Sequence, residues 1–390
     1  MLYKKCQIIV LIPIFLFHVV TSSAQQRDSH VREYLSPIRI VWQQESQLIQ
    51  GAEYLLRSGH GQANLVNNEL CKLSSTGQQH PAILFDFGKE LQGGLQIVTG
   101  MPASHAPVTI RVRLGESVSE AMCDIDEVNG ATNDHAMRDF VIRVPWLGVL
   151  EVGNSGFRFA RIDLLDDSAE LHLKEIRAIS VYQDIPYKGS FRCNDERLNR
   201  IWQTGAYTVH LNMQDYIWDG IKRDRLVWIR DLHPEVMTVN TVFGYNEVIP
   251  KSLDLIRDST PLPQWMTMCT YSLWWILIQR DWYLYQGNLD YLKEQKGHLC
   301  DLLQLIMTRI GEDGLEKFND DEGRFLDWPS CENPLAINAG VQALVIQAMK
   351  AGYELCSVLG EDRLATKCEA VRRKMVNAAP KIIKPFLKSG

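Results

Sequence analysis

The sequence predicts a two-part chain: an N-terminal β-sandwich, then an all-α array of helical hairpins. Two observations carry this. Residues 30 to about 185 alternate apolar and polar positions between frequent turn residues, whereas after Gly189 the apolar period lengthens to that of helices. A third sets the scale, because 390 residues suffice for two domains with a sizeable core each.

In the first region, Val108-Thr109-Ile110-Arg111-Val112-Arg113-Leu114 puts every second side chain on an apolar face, as a half-buried strand requires. Residues 140–144 and 176–182 read as further strands. Residues 82–88 and 95–98 flank Gly93-Gly94, which predicts two strands around a turn. Short strands punctuated by Gly, Pro and Asn suit a sandwich. In the second region, Leu198, Ile201, Trp202, Val209 and Met213 share one helical face, with Asn194 as the cap and Asp195 and Glu196 in the first turn. Pro234 and Pro250 are expected in first turns, where the missing N–H costs nothing. Further helices are expected over 270–284, 291–310, 336–359 with Gly360 as a stop, and 363–379, ended by Pro380. Residues 266–278 are apolar enough to mimic a membrane segment, but Gln279, Arg280 and Asp281 interrupt them, so a core helix is expected.

The first residues have another pattern. Lys4 and Lys5 precede an apolar run over 8–20, then Ser22, Ser23 and Ala24. That layout predicts a secretory signal cleaved after Ala24 and an exported chain, periplasmic or extracellular. The run falls short of the roughly 20 residues of a spanning helix, so no membrane span is expected after cleavage. The expected divisions are 1–24 signal, 25–187 sandwich and 188–390 helical domain. Eight cysteines follow the signal without a CxxC pair, so no zinc site or cofactor is expected, and Cys269, Cys300 and Cys356 lie in apolar helical patterns that suit free buried thiols. A net charge of −6 without a basic cluster argues against a nucleic-acid partner.

The chemistry concentrates in Tyr216-Ile217-Trp218-Asp219-Gly220-Ile221-Lys222-Arg223-Asp224-Arg225-Leu226-Val227-Trp228-Ile229-Arg230-Asp231. Glycoside hydrolysis needs a carboxylic acid at the leaving oxygen and a second carboxylate for water or direct attack. Asp219, Asp224 and Asp231 offer carboxylates, and Trp218 and Trp228 offer flat faces for a sugar ring. On spacing alone, a charged inter-helix turn whose aspartates pair with the adjacent Arg and Lys explains the same residues.

The run over 219–231 resembles the signature of bacterial α-L-rhamnosidases, glycoside hydrolase family 78: Asp, four residues, an acid, three residues, Trp, two residues, Asp. Phe85-Asp86-Phe87-Gly88 with Gly93-Gly94 is similar to the family's preceding β-sandwich, and residues 190–198 resemble the entry to its helical domain. The resemblance implies an (α/α)6 toroid that removes terminal α-L-rhamnose with inversion. It implies Asp224 as general acid and Asp219, Arg223, Trp228 and Asp231 as rhamnose contacts; by approximate spacing, Trp282 and Trp328 are further contacts. The chain departs from the family in carrying aspartate at 224, where glutamate is usual, and Arg230 where glycine is usual. The family's general base is a glutamate on a much later loop, and residues 190–390 supply about half of a twelve-helix ring. Three readings follow: a rhamnosidase fragment, inactive alone, either split from a separate C-terminal half or left by a truncated gene; a hydrolase using Asp320, Asp321, Glu322 or Asp327; or a non-catalytic carbohydrate-binding protein. All three take a rhamnose-containing glycan or glycoside as partner.

Overall fold

A computed structural model describes residues 30–65, 68–125, 132–133 and 136–379. The expected signal over 1–24 and the Pro380 stop lie outside the described residues.

The antiparallel β domain expected from the alternation is present. Its strands are β1 (His30–Leu35), β2 (Arg39–Gln44), β3 (Ile49–Gln50), β4 (Cys71–Ser74), β5 (Ala82–Thr99), β6 (Val108–Gly115), β7 (Asp139–Val144), β8 (Gly148–Leu164) and β9 (Glu170–Gln183), with a short helix α1 (Val118–Met122) after β6. They form one hydrogen-bonded network in the order β3-β4-β9-β5-β8-β6-β7, with β1 added to β9 and β2 to β5. Residues 82–98 are one bent strand, where the sequence predicts two. β5 stays paired to β8 across its length, and register shifts between Asp86 and Leu91 and between Gly93 and Leu95 take up the bend. Gly88 and Gly93 supply the positive φ this needs, at 86° and 146°. Asp86, buried at the bend, accepts from Gly88 N at 2.7 Å, from Arg158 Nε at 2.8 Å and from Arg39 Nε at 2.9 Å. Burial opposes ionisation there, but Arg158, the Gly88 N–H and Arg39 outweigh it and hold the carboxyl at about 2. Ile83, Phe85, Ile97, Ile110, Val112 and Ile162 lie in the main core of the domain.

The helical region contains α2 (Glu196–Asn212), α3 (Ile229–Val242), α4 (Val248–Ser259), α5 (Cys269–Gln286), α6 (Leu289–Met307), α7 (Pro334–Val358) and α8 (Asp362–Ala378). The cap of α2 is Asp195, whose carboxylate accepts from Arg197 N; the expected Asn194 stands one residue too early. The buried face of α2 carries Asn199, Ala206, Val209 and His210, so Leu198 and Ile201 are exposed although they fit an apolar stripe. Pro234 lies in the second turn of α3, past the place expected for it, whereas Pro250 is the third residue of α4. Gly360, at φ 74°, follows α7 as expected. α5 is a core helix, with Trp275, Ile276 and Ile278 fully buried. Among the described residues no helix is long and apolar enough to cross a membrane. The cysteines described are free thiols; Cys269 and Cys356 are buried and Cys300 is half-buried.

Helices α3, α5 and α7 form a row. α3 and α5 run parallel: Trp228 meets Tyr271 at their first turns (ring centroids 6.0 Å apart), and Gln286 donates to Asn240 at 2.6 Å near their last. The loops over 213–228 and 319–333 therefore gather where these helices begin.

Candidate active site

The 219–231 stretch forms a loop that runs directly into α3. Its base is closed by Asp219 twice: Asp219 N donates to Leu226 O at 3.0 Å, and Asp219 Oδ1 accepts from Leu226 N at 2.9 Å. Within it, Arg225 N donates to Arg223 O at 2.6 Å, which makes Asp224 the centre of a γ-turn. Asp224 and Arg225 have φ 50° and 57°, a region that residues with a Cβ seldom occupy. Trp228 is the N-cap of α3 and donates its indole N–H to Asp224 Oδ2 at 3.2 Å. This fixes one carboxylate oxygen and turns the indole toward the acid.

Asp231 lies in the first turn of α3. Burial pushes its carboxyl above the ordinary aspartate range; Arg230 opposes this, while Asp327 and Asp224 add to it. Asp219 is raised for the same first reason, against the Leu226 N–H, with Asp224 and Asp231 contributing as like charges. The three carboxylates thus share one local field. Arg223 is 75% exposed and lies 3.5 Å from Asp224, at the mouth of the loop.

Arg230 bridges. Its guanidinium is 3.4 Å from Asp231 and 3.2 Å from Asp327, which joins the start of α3 to the 327–330 turn. The next residue, Trp328, is 78% exposed and meets Phe325 in a T-shaped contact at 5.1 Å. A largely exposed indole suits an apolar sugar surface. Trp282 is elsewhere: it is 1% exposed, packs on Tyr245 at 5.6 Å, and lies about 16 Å along α5 from Tyr271. The structure brings Asp219, Arg223, Asp224, Trp228, Asp231 and Trp328 to one end of the helix row and leaves Trp282 in the core near its other end. Trp218 faces differently again, lining a cavity of about 550 Å³ toward the β domain with Arg32, Gln92, Glu151 and Asn154.

Of the other acids in the 319–327 segment, Glu322 is committed to Arg309, Trp265 and the Asn319 N–H, and Asp320 is exposed beside Arg324. Asp327 is the acid of this segment that reaches the loop's end, through its ion pair with Arg230. One carboxyl escapes sequence reading altogether. Glu235, a turn beyond Asp231, is buried, accepts from Asn212 Nδ2 at 2.9 Å, and is pushed up to about 8, first by burial and then by Asp231 and Asp219. The four-residue step from Asp231 to Glu235 was the available signal, but a helical i,i+4 acid pair normally marks a solvated face. Among the described residues no cluster of three or more His, Cys, Asp or Glu has the geometry to hold a metal ion.

Residues 186–380, half of the chain's 390, match the family described as the bacterial alpha-L-rhamnosidase 6 hairpin glycosidase domain. No curated protein matches the sequence. Among solved structures, the chain is similar to a rhamnosidase from Klebsiella oxytoca with rhamnose bound (TM-score 0.73, 18% identity, 91% of this chain and 71% of that one). It is also similar to a GH78 family rhamnosidase of Bacillus sp. GL1 (TM-score 0.67, 20% identity, 84% of this chain and 34% of that one). The α-L-rhamnosidase of Dictyoglumus thermophilum is a third (TM-score 0.61, 18% identity, 90% of this chain and 36% of that one). The chain therefore spans about a third of the latter two. At these identities the likeness establishes the shared fold, a β domain followed by a helical domain. With the family match over half its length, the chain belongs to the bacterial α-L-rhamnosidase six-hairpin glycosidase family.

Proposed function

We propose that this chain carries the sugar-recognising and proton-donating side of an α-L-rhamnosidase site, acting on terminal α-L-rhamnose of a glycan or glycoside with inversion. The observation that carries the reading is the 219–231 loop itself. Three aspartates share one field there, and the Trp228 indole orients the central one. Asp224 is the general acid: it gives its proton to the glycosidic oxygen as the C–O bond to the anomeric carbon breaks. Water adds to that carbon from the opposite face and loses its proton to a carboxylate roughly 6.5–9.5 Å from the acid. Asp219 and Asp231 accept from the sugar hydroxyls, Arg223 donates to them, and Trp328 covers the apolar face of the ring. Asp327, placed opposite Arg230, is the base proposed from within the described residues. A base on a later segment, carried by the same chain or by a separate C-terminal partner, is the arrangement the family resemblance implies. Export through the 1–24 signal belongs to the same proposal.

The test is release of aryl alcohol from an aryl α-L-rhamnoside. Asp224→Asn should lower the rate by about 10²–10⁴-fold, the usual contribution of a positioned acid. Loss in Asp327→Asn as well places the base in this chain. Saturable L-rhamnose binding without release assigns the base to a segment other than these residues or supports a carbohydrate-binding protein, and absence of both overturns the reading.

A further inference from the structure

We infer that the β domain sets the geometry of the proposed acid, with Lys222 and Arg225 as positioning residues that grip α1 and the β5–β8 bend and so hold the turn bearing Asp224. This rests on the functional reading for the role of Asp224, but the mechanical part stands on contacts alone.

The turn is strained. Two successive non-glycine residues at positive φ are disfavoured, and such conformations persist only where the surroundings over-determine them. The surroundings that do so are largely in the other domain. On the N-terminal side of Asp224, Lys222 Nζ lies 2.7 Å from Glu120 Oε1 and 3.2 Å from Glu116 Oε2. Glu120 is itself fixed: its Oε2 accepts from Glu116 N at 2.8 Å, and Ser117 caps α1. Arg138 Nε, 3.7 Å from Glu120 Oε1, adds a second cation from the β7 side. Glu90 completes the group; burial first, and then Glu116 and Glu120, push its carboxyl up to about 8, so it adds no competing charge at neutral pH.

On the C-terminal side, Arg225 donates to Asn154 O at 2.6 Å and to Ile221 O at 2.9 Å, with its guanidinium 5.2 Å above the Trp218 ring. Between the two anchors, Ile221 is buried against Gly156 of β8, so closely that a Cβ on Gly156 would lie 2.6 Å from Ile221 Cγ1. The residues flanking Asp224 are thus tied to the β domain by a lysine in a carboxylate fork, an arginine on a strand carbonyl and an isoleucine on a bare glycine. The polar lining of the neighbouring cavity is engaged in the same scaffold, since Gln92 donates to Asn154 at 2.8 Å and Arg32 to Glu151 at 2.6 Å. The β domain accordingly acts as a jig for the loop as well as a neighbour of it.

Hydrogen exchange of the full-length protein tests this, read on peptides covering 219–228 in the wild type, Lys222→Met and Lys222→Arg, with L-rhamnose titrated in parallel. Lys222→Met should accelerate exchange in those peptides by about tenfold or more while α5 and β9 keep their protection. Lys222→Arg, which can still reach the fork, should restore it. L-rhamnose affinity should fall in step, by about tenfold, with the methionine and recover with the arginine. Unchanged loop exchange in Lys222→Met, or acceleration spread equally over α5 and β9, overturns the inference. If Lys222→Met does not fold, Glu120→Gln carries the same expectation. If the wild type binds no L-rhamnose, the functional reading fails while the exchange result still decides whether the β domain holds the loop.

Discussion

Asp224 is one methylene shorter than the glutamate that the family resemblance implies at its place, and it sits at the centre of the γ-turn at 223–225, where the Trp228 N–H donates to its carboxylate. Asp219 and Asp231, both raised by burial, take up protons at a higher pH than free aspartates do. As ions they accept strong, charge-assisted hydrogen bonds from sugar hydroxyls; once protonated they keep only weaker, neutral acceptors. L-rhamnose affinity is therefore expected to begin falling, as pH is lowered, above the ordinary aspartate value of 3.8, and titrations across mildly acidic pH will show it. Glu235 makes a stability prediction of defined sign. Its carboxyl titrates at about 8 in the fold against an ordinary 4.5, so between those values the native state holds a proton that the unfolded chain lacks. The contribution is full below 4.5 and is lost as pH rises toward 8. Glu235→Gln keeps an acceptor for Asn212 and removes the titration. Urea unfolding should find it more stable than wild type at pH 8, by on the order of 4 kcal/mol, and equal to it near pH 4. Parallel profiles would contradict the assignment.

At the level of elements, the contact of the loop with β8 is a tight joint. Gly156→Ala should displace Ile221, because the new Cβ meets the root of a buried branched side chain. A cost of about 1–3 kcal/mol is expected in thermal unfolding, together with weaker sugar binding; an unchanged melting temperature would contradict the packing described. Element type was legible wherever a single period ran long enough, as in β6, α6 and α8. Boundaries and faces were less so. The bend in β5 reads as a turn because Gly93-Gly94 marks both equally well, and only the continuous pairing with β8 distinguishes them. The apolar stripe of α2 fits a helix wheel, yet Leu198 and Ile201 face outward because the packing face is set by neighbours that the local sequence does not name. Trp282 illustrates the same limit: an aromatic residue at plausible spacing is more often core than platform.

Across the whole molecule, the site depends on which ends are brought together. α3, α5 and α7 begin at one end, and that end receives the 219–231 loop, the Asp327-Trp328 turn and the β domain. The motif was visible in the sequence because its residues are contiguous. Lys222 with Glu120, 102 positions apart, and Arg230 with Asp327, nearly as far, could not be paired without the fold. The central claim is that this end binds a terminal rhamnosyl unit. Calorimetric titration of L-rhamnose into the wild type and into Asp231→Ala tests it most directly. One saturable site in the wild type that is lost in the variant is the predicted result. No binding to the wild type, or equal binding to both proteins, would contradict it.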